Sequence, residues 1–387
     1  MIFGLLACAL SAFFISPAIA EIRYGQFTLL PEVVLQEAFR SNIYQTQFDA
    51  KSDFVTTITP GIGLRYLFGR NSLALDYKVG FVNFAHYSTN NYQDHRANGL
   101  LNLVTPGGLE FTFGDNFIRS TQERTGTTSE QLSFQQNLSK GIAAYRFADT
   151  WKLEAKYLRD DFRYDSSLYR DSDYTSNLVG MSLYYRVLPR LSGLIEFDYV
   201  MKNFPSSNLY DHSDRLLYAG VAFDPGGKLK GSFRAGYGWE NFDTRVPGRD
   251  NQRTWVMAAQ LVQDFSSKTS LTLDALRAFA DDPLSQNAPY INTLVSVNFQ
   301  HFFTGKIAGV GTISYQETNY LDYQTEPVTN VIKKRTDRIW GLGVGGVYNI
   351  QKWLQTRLEY SYLKRDSNFF LDSFDEHRII FRIVLSL

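Results

Sequence analysis

The final twelve residues, "EHRIIFRIVLSL", carry the constraint that the rest of the chain repeats. Ile379, Phe381, Ile383, Leu385 and Leu387 fall on one parity; Arg378, Ile380, Arg382, Val384 and Ser386 fall on the other. Residues two apart share a face of a β-strand. A period of two with its charges confined to one parity therefore describes a strand between two different surroundings. The same grammar holds at 229–240, where Leu229, Phe233, Ala235, Tyr237 and Trp239 oppose Lys230, Ser232, Arg234 and Glu240. At 191–202, Leu191, Ile195, Phe197, Tyr199 and Met201 oppose Glu196, Asp198 and Lys202.

About eighteen such segments follow residue 25. They lie near 27–39, 53–68, 72–86, 95–105, 109–120, 130–147, 151–164, 174–188 and 191–204, then 213–224, 228–242, 252–265, 269–280, 290–303, 306–321, 336–350, 353–366 and 376–387. Their connections alternate in size. Tight turns such as "GRN" (69–71), "TPGG" (105–108) and "DPGG" (224–227) hold the Gly, Pro or Asp that turns require. Longer polar stretches such as "STNNYQDH" and "DYQTEPVTNVIKKRT" lie between them.

A β-propeller repeats at a similar period of about 40 residues but fits four short strands into it. A soluble sandwich keeps its strands near 5–6 residues and hides the apolar face between sheets. Two long strands per repeat, with short turns on one side and long loops on the other, fit an outer-membrane barrel instead. In hydrocarbon a sheet must close, because unpaired backbone groups cannot be solvated there. The expected fold is thus all-β: a transmembrane, antiparallel, up-and-down β-barrel of about eighteen strands.

Residues 1–20, "MIFGLLACALSAFFISPAIA", read as a signal peptide ending in Ala-Ile-Ala, which leaves residues 21–387 as one barrel domain. A spanning helix is the other reading of that run. The only cysteine, Cys8, lies inside it, so the mature chain has no thiol or disulfide chemistry. With 39 basic and 39 acidic residues, nothing draws the chain toward nucleic acid. Aromatics, at 15% of residues, are the compositional anomaly.

Many of them sit in a recurring hexad. "YLRDDF" (157–162), "YVMKNF" (199–204), "YGWENF" (237–242) and "YQETNY" (315–320) each hold Tyr, three variable residues, an Asx and an aromatic. The expectation is that Tyr157, Tyr199, Tyr237 and Tyr315 form an aromatic girdle at the outer lipid border. The Asx would then cap the strand end by bonding local backbone. Descending strands open with Asp, His and Arg, as in "YQDHRANGLL", "YDHSDRLLYAGV" and "KRTDRIWGLGV". These read as a polar rim, or as a collar facing lipopolysaccharide.

No catalytic, cofactor or metal residue is expected. The pairs Asp94–His95, Asp211–His212 and Glu376–His377 suggest a rim hydrolase, but adjacent strand residues point to opposite faces. "GLGVGG" (341–346) has the dinucleotide spacing without a following helix. The five histidines lack metal-ligand spacing. The candidate pore-lining set is Arg65, Asp76, Lys78, Lys152, Glu154, Lys156, Arg186, Glu196, Asp198, Lys202, Arg234, Glu240, Arg357, Glu359, Arg378 and Arg382. Both signs are mixed, so the wall either neutralises itself across strands or presents a hydrogen-bonding surface to a polar solute. With no loop much beyond about 15 residues, any constriction is expected from side chains or several modest loops acting together.

The mature start resembles a known family. Pro31, Asn42–Ile43–Tyr44, Ser52–Asp53–Phe54 and Thr59–Pro60–Gly61 match the pattern of the putative β-barrel porin 2 family over roughly residues 25–110, with Ser41 where Asp is usual. The resemblance implies an outer-membrane conduit for a secreted exopolysaccharide. Its expected partners are outer-membrane lipid, lipopolysaccharide, the polymer itself and a periplasmic polysaccharide export protein. A general diffusion porin, a structural or adhesive barrel and a rim hydrolase stand as alternatives.

Overall fold

The computed structural model describes residues 21–386, apart from 126–129, 225, 245–248 and 283–286. The expected signal peptide, residues 1–20, lies outside the described residues. In chain order the strands begin with β1 (Ile22–Tyr24), β2 (Phe27–Arg40), β3 (Asp53–Phe68), β4 (Asn71–Phe84), β5 (Tyr92–Val104) and β6 (Leu109–Gln122). There follow β7 (Leu132–Phe147), β8 (Trp151–Tyr164), β9 (Tyr174–Leu188), β10 (Leu191–Asn203), β11 (His212–Phe223), β12 (Leu229–Phe242) and β13 (Gln252–Ser266). The last are β14 (Thr269–Asp282), β15 (Ala288–Phe302), β16 (Ile307–Thr325), β17 (Ile332–Gln351), β18 (Leu354–Ser367) and β19 (Phe374–Ser386).

Each strand from β2 onward pairs antiparallel with the next, and β19 closes on β2 from Arg378↔Arg40 to Ser386↔Glu32. The closed barrel is therefore β2–β19, eighteen staves. The three residues of β1 fold back on the start of β2 (Ile22↔Leu29) and add no stave. The short turns use left-handed backbone: Gly69 has φ 63 and Gly108 φ 80, where a side chain would strain the turn. Short 3-10 turns at Ser88–Asn90, Ser167–Ser172 and Asn208–Tyr210 occupy long loops at the opposite rim.

The outer face is apolar, as the alternation requires. Phe381 is 44% exposed and Phe233 39% exposed, where a soluble fold would bury both. One stretch departs from expectation. "DYQTEPVTNVIKKRT" is mostly strand, not loop, since β16 runs to Thr325 and β17 starts at Ile332. A register shift between Asn319 and Tyr323 carries the ladder onward. Above the lipid both faces meet water, so the apolar alternation that marks a strand disappears while the backbone pairing continues.

The wall opens at one place. Strands β13 and β14 pair only from Met257↔Arg277 downward. Yet β12 and β13 stay paired up to Glu240↔Gln252, and β14 and β15 up to Asp282↔Ala288. The upper ends of β13 and β14 have separated. Arg277 fills the gap: its guanidinium lies 4.4 Å from the Trp255 ring, and Nε donates to the Trp255 carbonyl oxygen at 3.2 Å. A backbone acceptor freed from the ladder thus regains a donor.

Past the gap, the end of β14 slides inside the β12 wall. Phe279 and Asp281 share the parity of Leu273 and Ala275, which lies outward in the continuous sheet. Nevertheless Phe279 packs on Gly238 from within: a Cβ on that glycine would stand 2.8 Å from Phe279 Cε2. The β15 end is buried with it, Tyr290 and Ala288 packing with Tyr320. Asn287 reaches the β8–β9 loop, donating to the Asp171 carbonyl at 2.8 Å. At this rim, among the described residues, the end of a strand pair lies inward of the wall.

Candidate functional site

The sixteen charged candidates share the face opposite the exposed apolar set, and the structure joins most of them pairwise. Arg65 bonds Asp76 at 3.1 Å and Lys78 bonds Glu32 at 2.5 Å. Lys152 reaches Glu154 at 2.8 Å and lies 4.7 Å over the Tyr184 ring, with Arg186 two residues further along that face. Lys156 bonds Glu196 at 2.6 Å and Asp198 at 2.9 Å, and Arg234 approaches Glu196 at 3.4 Å. Arg357 bonds Glu359 at 3.0 Å, Arg378 bonds Glu376 at 2.5 Å, and Arg382 donates to Gln36 at 2.7 Å. Because the spacing is two and neighbouring strands are in register, opposite charges meet side by side.

Sequence reasoning missed the neutral part of this face. On β15 and β16 many of the buried inward residues are amides and hydroxyls, set among Leu294, Ala308 and Val310. Gln316 donates to Asn292 at 3.0 Å, Thr312 to Asn298 at 3.0 Å, and Asn298 to Ser296 at 3.4 Å. The parity of "APYINTLVSVNFQ" contains them, but they read as unremarkable strand polars.

The hexads resolve into two roles. The tyrosines face out: Tyr157 and Tyr237 are exposed, and Tyr315 packs with its ring tilted 4.5 Å from that of Trp340, while Tyr199 shares the outward parity of Phe197. Five residues on, the closing ring faces in. Phe162 and Phe204 join a buried cluster with Leu132, Tyr164 and Tyr174, and Tyr320 packs on Tyr290. In two hexads the Asx bonds a side chain within the strand and does not cap its end. Asp161 binds Arg159 at 2.6 Å and Asn319 donates to Glu317 at 2.7 Å, both still within the ladder. β8 and β16 outlast the point where the sequence pattern ends, whereas β10 and β12 stop at Asn203 and Phe242.

None of the three acid–His neighbours forms a working pair. His95 faces Tyr77 Oη at 2.9 Å while Asp94 accepts from Ser120 on the other face. His377 faces Tyr360 Oη at 2.8 Å while Glu376 holds Arg40 at 2.7 Å inside. Asp211 accepts from the Phe204 N–H at 2.7 Å, whereas His212 is buried inward. "GLGVGG" lies within β17, paired on both sides, with no helix to follow.

Inside the open corner a denser group gathers. Lys202 of β10 bonds Asp281 of β14 at 2.6 Å, across strands that are not neighbours. His212 Nε2 is 3.7 Å from the same carboxylate. Arg249 bonds Asp322 at 3.1 Å and lies 4.9 Å over the Tyr210 ring. Glu240 faces this group.

An even, closed, antiparallel barrel with an apolar outside and a polar inside defines an outer-membrane porin. The family model described as "Putative beta-barrel porin 2" matches residues 19–387, and the chain belongs to that family. It is a multi-pass outer-membrane β-barrel porin, a channel and not an enzyme. Among solved structures it is similar to Pseudomonas aeruginosa OccK2 (OpdF), with TM-score 0.49, 12% identity, and coverage of 95% of this chain and 100% of that one. For Pseudomonas aeruginosa OccK1 (OpdK) the values are 0.48, 11%, 93% and 99%. For the FrpB iron transporter of Neisseria meningitidis they are 0.45, 10%, 87% and 62%. No curated protein matches the chain.

Proposed function

We propose that this porin is a conduit for a secreted exopolysaccharide. The supporting observation is the chemistry of the inner face: accessible amides and hydroxyls on β5 and β6, where Asn116 donates to Asn98 and Thr112 to Asn102, beside ion pairs that neutralise each other within the wall. Sugar hydroxyls both donate and accept. Amide and hydroxyl groups exchange bonds with them in any orientation and hold no net charge to arrest the chain. Self-paired charges likewise hydrate the wall without trapping one ion sign. On this reading the sixteen charged residues line the path. The four hexad tyrosines mark the outer lipid border beneath lipopolysaccharide, and a periplasmic export protein docks at the short-turn rim.

Two measurements test it. In a planar bilayer the purified barrel should conduct, and neutral oligosaccharides should block it in a length-dependent way. Deleting the gene should leave polymer synthesis intact and abolish surface polymer. Conductance that no oligosaccharide touches would instead favour a general diffusion porin; absence of conductance would favour an adhesive or structural barrel.

A further inference from the structure

Three residues far apart in sequence, His212, Glu240 and Asp281, bring one imidazole nitrogen and two carboxylate oxygens within 4.8 Å of one another. They come from β11, β12 and the displaced end of β14, so the group exists only because β14 has left the β13 ladder.

Glu240 supplies the independent observation. It is 1% exposed, and neither carboxylate oxygen has a hydrogen-bond partner among the described residues. Directly across the ladder stands a second acid, Asp214, also buried and with Oδ1 unpartnered. Like charges at directly opposed strand positions repel, and a buried carboxylate without partners is costly. The nearby cations do not offset this. Lys202 is committed to Asp281 and Arg249 to Asp322. Among the described residues, neither of these cations bonds Glu240 or Asp214.

His212 is set up as a ligand. Its Nδ1 lies 2.9 Å from the Tyr210 carbonyl oxygen, which can only accept. Nδ1 therefore carries a proton, and Nε2 is the ring nitrogen turned toward Asp281. Metal-binding histidines are oriented in this way by a backbone carbonyl on the far nitrogen.

We propose that His212, Glu240 and Asp281 form a binding site for one divalent cation of the zinc type. Mixed imidazole and carboxylate donors suit zinc, whereas magnesium and calcium prefer oxygen alone. Donors bound to zinc at about 2.1 Å lie at most roughly 4.2 Å apart. Side-chain adjustments of under about 1 Å would close the group. Asp214 stands beside it as a fourth donor or as an acceptor for metal-bound water. The cation joins the β14 end to β11 and β12 where no backbone ladder does so. The inference does not depend on what the channel carries.

The test uses the full detergent-solubilised barrel, stripped with EDTA, dialysed and titrated with Zn2+ alone by calorimetry, with bound metal counted by mass spectrometry. One zinc per chain is expected, and Mg2+ should bind far more weakly. H212A and E240Q should each weaken zinc binding at least about tenfold. H95A, which removes an outward histidine, should leave it unchanged. If H212A does not assemble, the near-isosteric E240Q decides alone. The proposal is overturned if the wild type takes up no zinc, if folded E240Q binds zinc as the wild type does, or if H95A abolishes binding.

Discussion

Two buried glutamates on the same inner face, both near the long-loop rim, have opposite surroundings. Glu376 of β19 is 0% exposed and takes Arg40 at 2.7 Å and Arg378 at 2.5 Å. Glu240 of β12 is 1% exposed and, among the described residues, its carboxylate takes no hydrogen bond. Glu376 lies two residues past the last β19–β2 pair, where Arg378 and Arg40 face each other, and both guanidiniums reach it. At the β13–β14 gap the ladder fails, and the strand end that moves in brings another carboxylate, Asp281. Which residue the register sets beside an inward acid, an arginine pair for Glu376 and a second carboxylate for Glu240, decides whether that acid is neutralised.

The comparison breaks most sharply at its paired member. Arg40→Ala should destabilise the barrel by about 3–5 kcal/mol, because Glu376 and Glu123 would be left without the guanidinium that joins them. The urea midpoint in detergent reads this, and a shift under about 1 kcal/mol would show that the closure does not rest on the ion pair. Glu240→Gln should act with the opposite sign. In EDTA it should raise stability by up to about 1 kcal/mol, since an opposed like charge is removed. A loss of stability would mean that Glu240 is already satisfied. Lys78→Met removes a half-exposed wall pair and should change the midpoint by no more than about 1 kcal/mol.

The smallest expected effect lies outside the membrane. Glu326, in the β16–β17 loop, accepts from Thr329 Oγ1 and from the Phe370 N–H and lies 3.0 Å from Lys333. These donors lower its carboxyl to about 2. A depressed carboxyl stabilises the fold above its ordinary unfolded value of about 4.5 and loses that contribution as pH falls toward about 2. The stability of E326Q should therefore vary less than that of the wild type across that window; identical acid profiles would remove Glu326 from the account.

Most of the barrel is legible in the sequence because alternation encodes which face each residue meets. The eighteen staves, their short turns and the common face of Arg65, Asp76, Glu196 and Arg382 follow from parity alone. Alternation does not encode which neighbour a strand keeps. Asp281 has the parity of a lipid-facing residue, so no count by twos could bring it to His212 and Glu240. Gly238, inside "YGWENF", was the one local hint, since a residue without a side chain leaves room for a ring to settle. The strand extensions at 322–336 were hidden for a related reason: where water bathes both faces, composition stops reporting on hydrogen bonding.

The five-residue interval within the hexads constrains how this chain can change. An odd interval sends Tyr157 toward acyl chains and Phe162 toward the channel axis. One residue gained or lost between them would put both rings on the same face and invert the remainder of the stave. Length variation at these crossings is therefore forbidden in single steps, and the loops beyond are where this barrel is free to diversify.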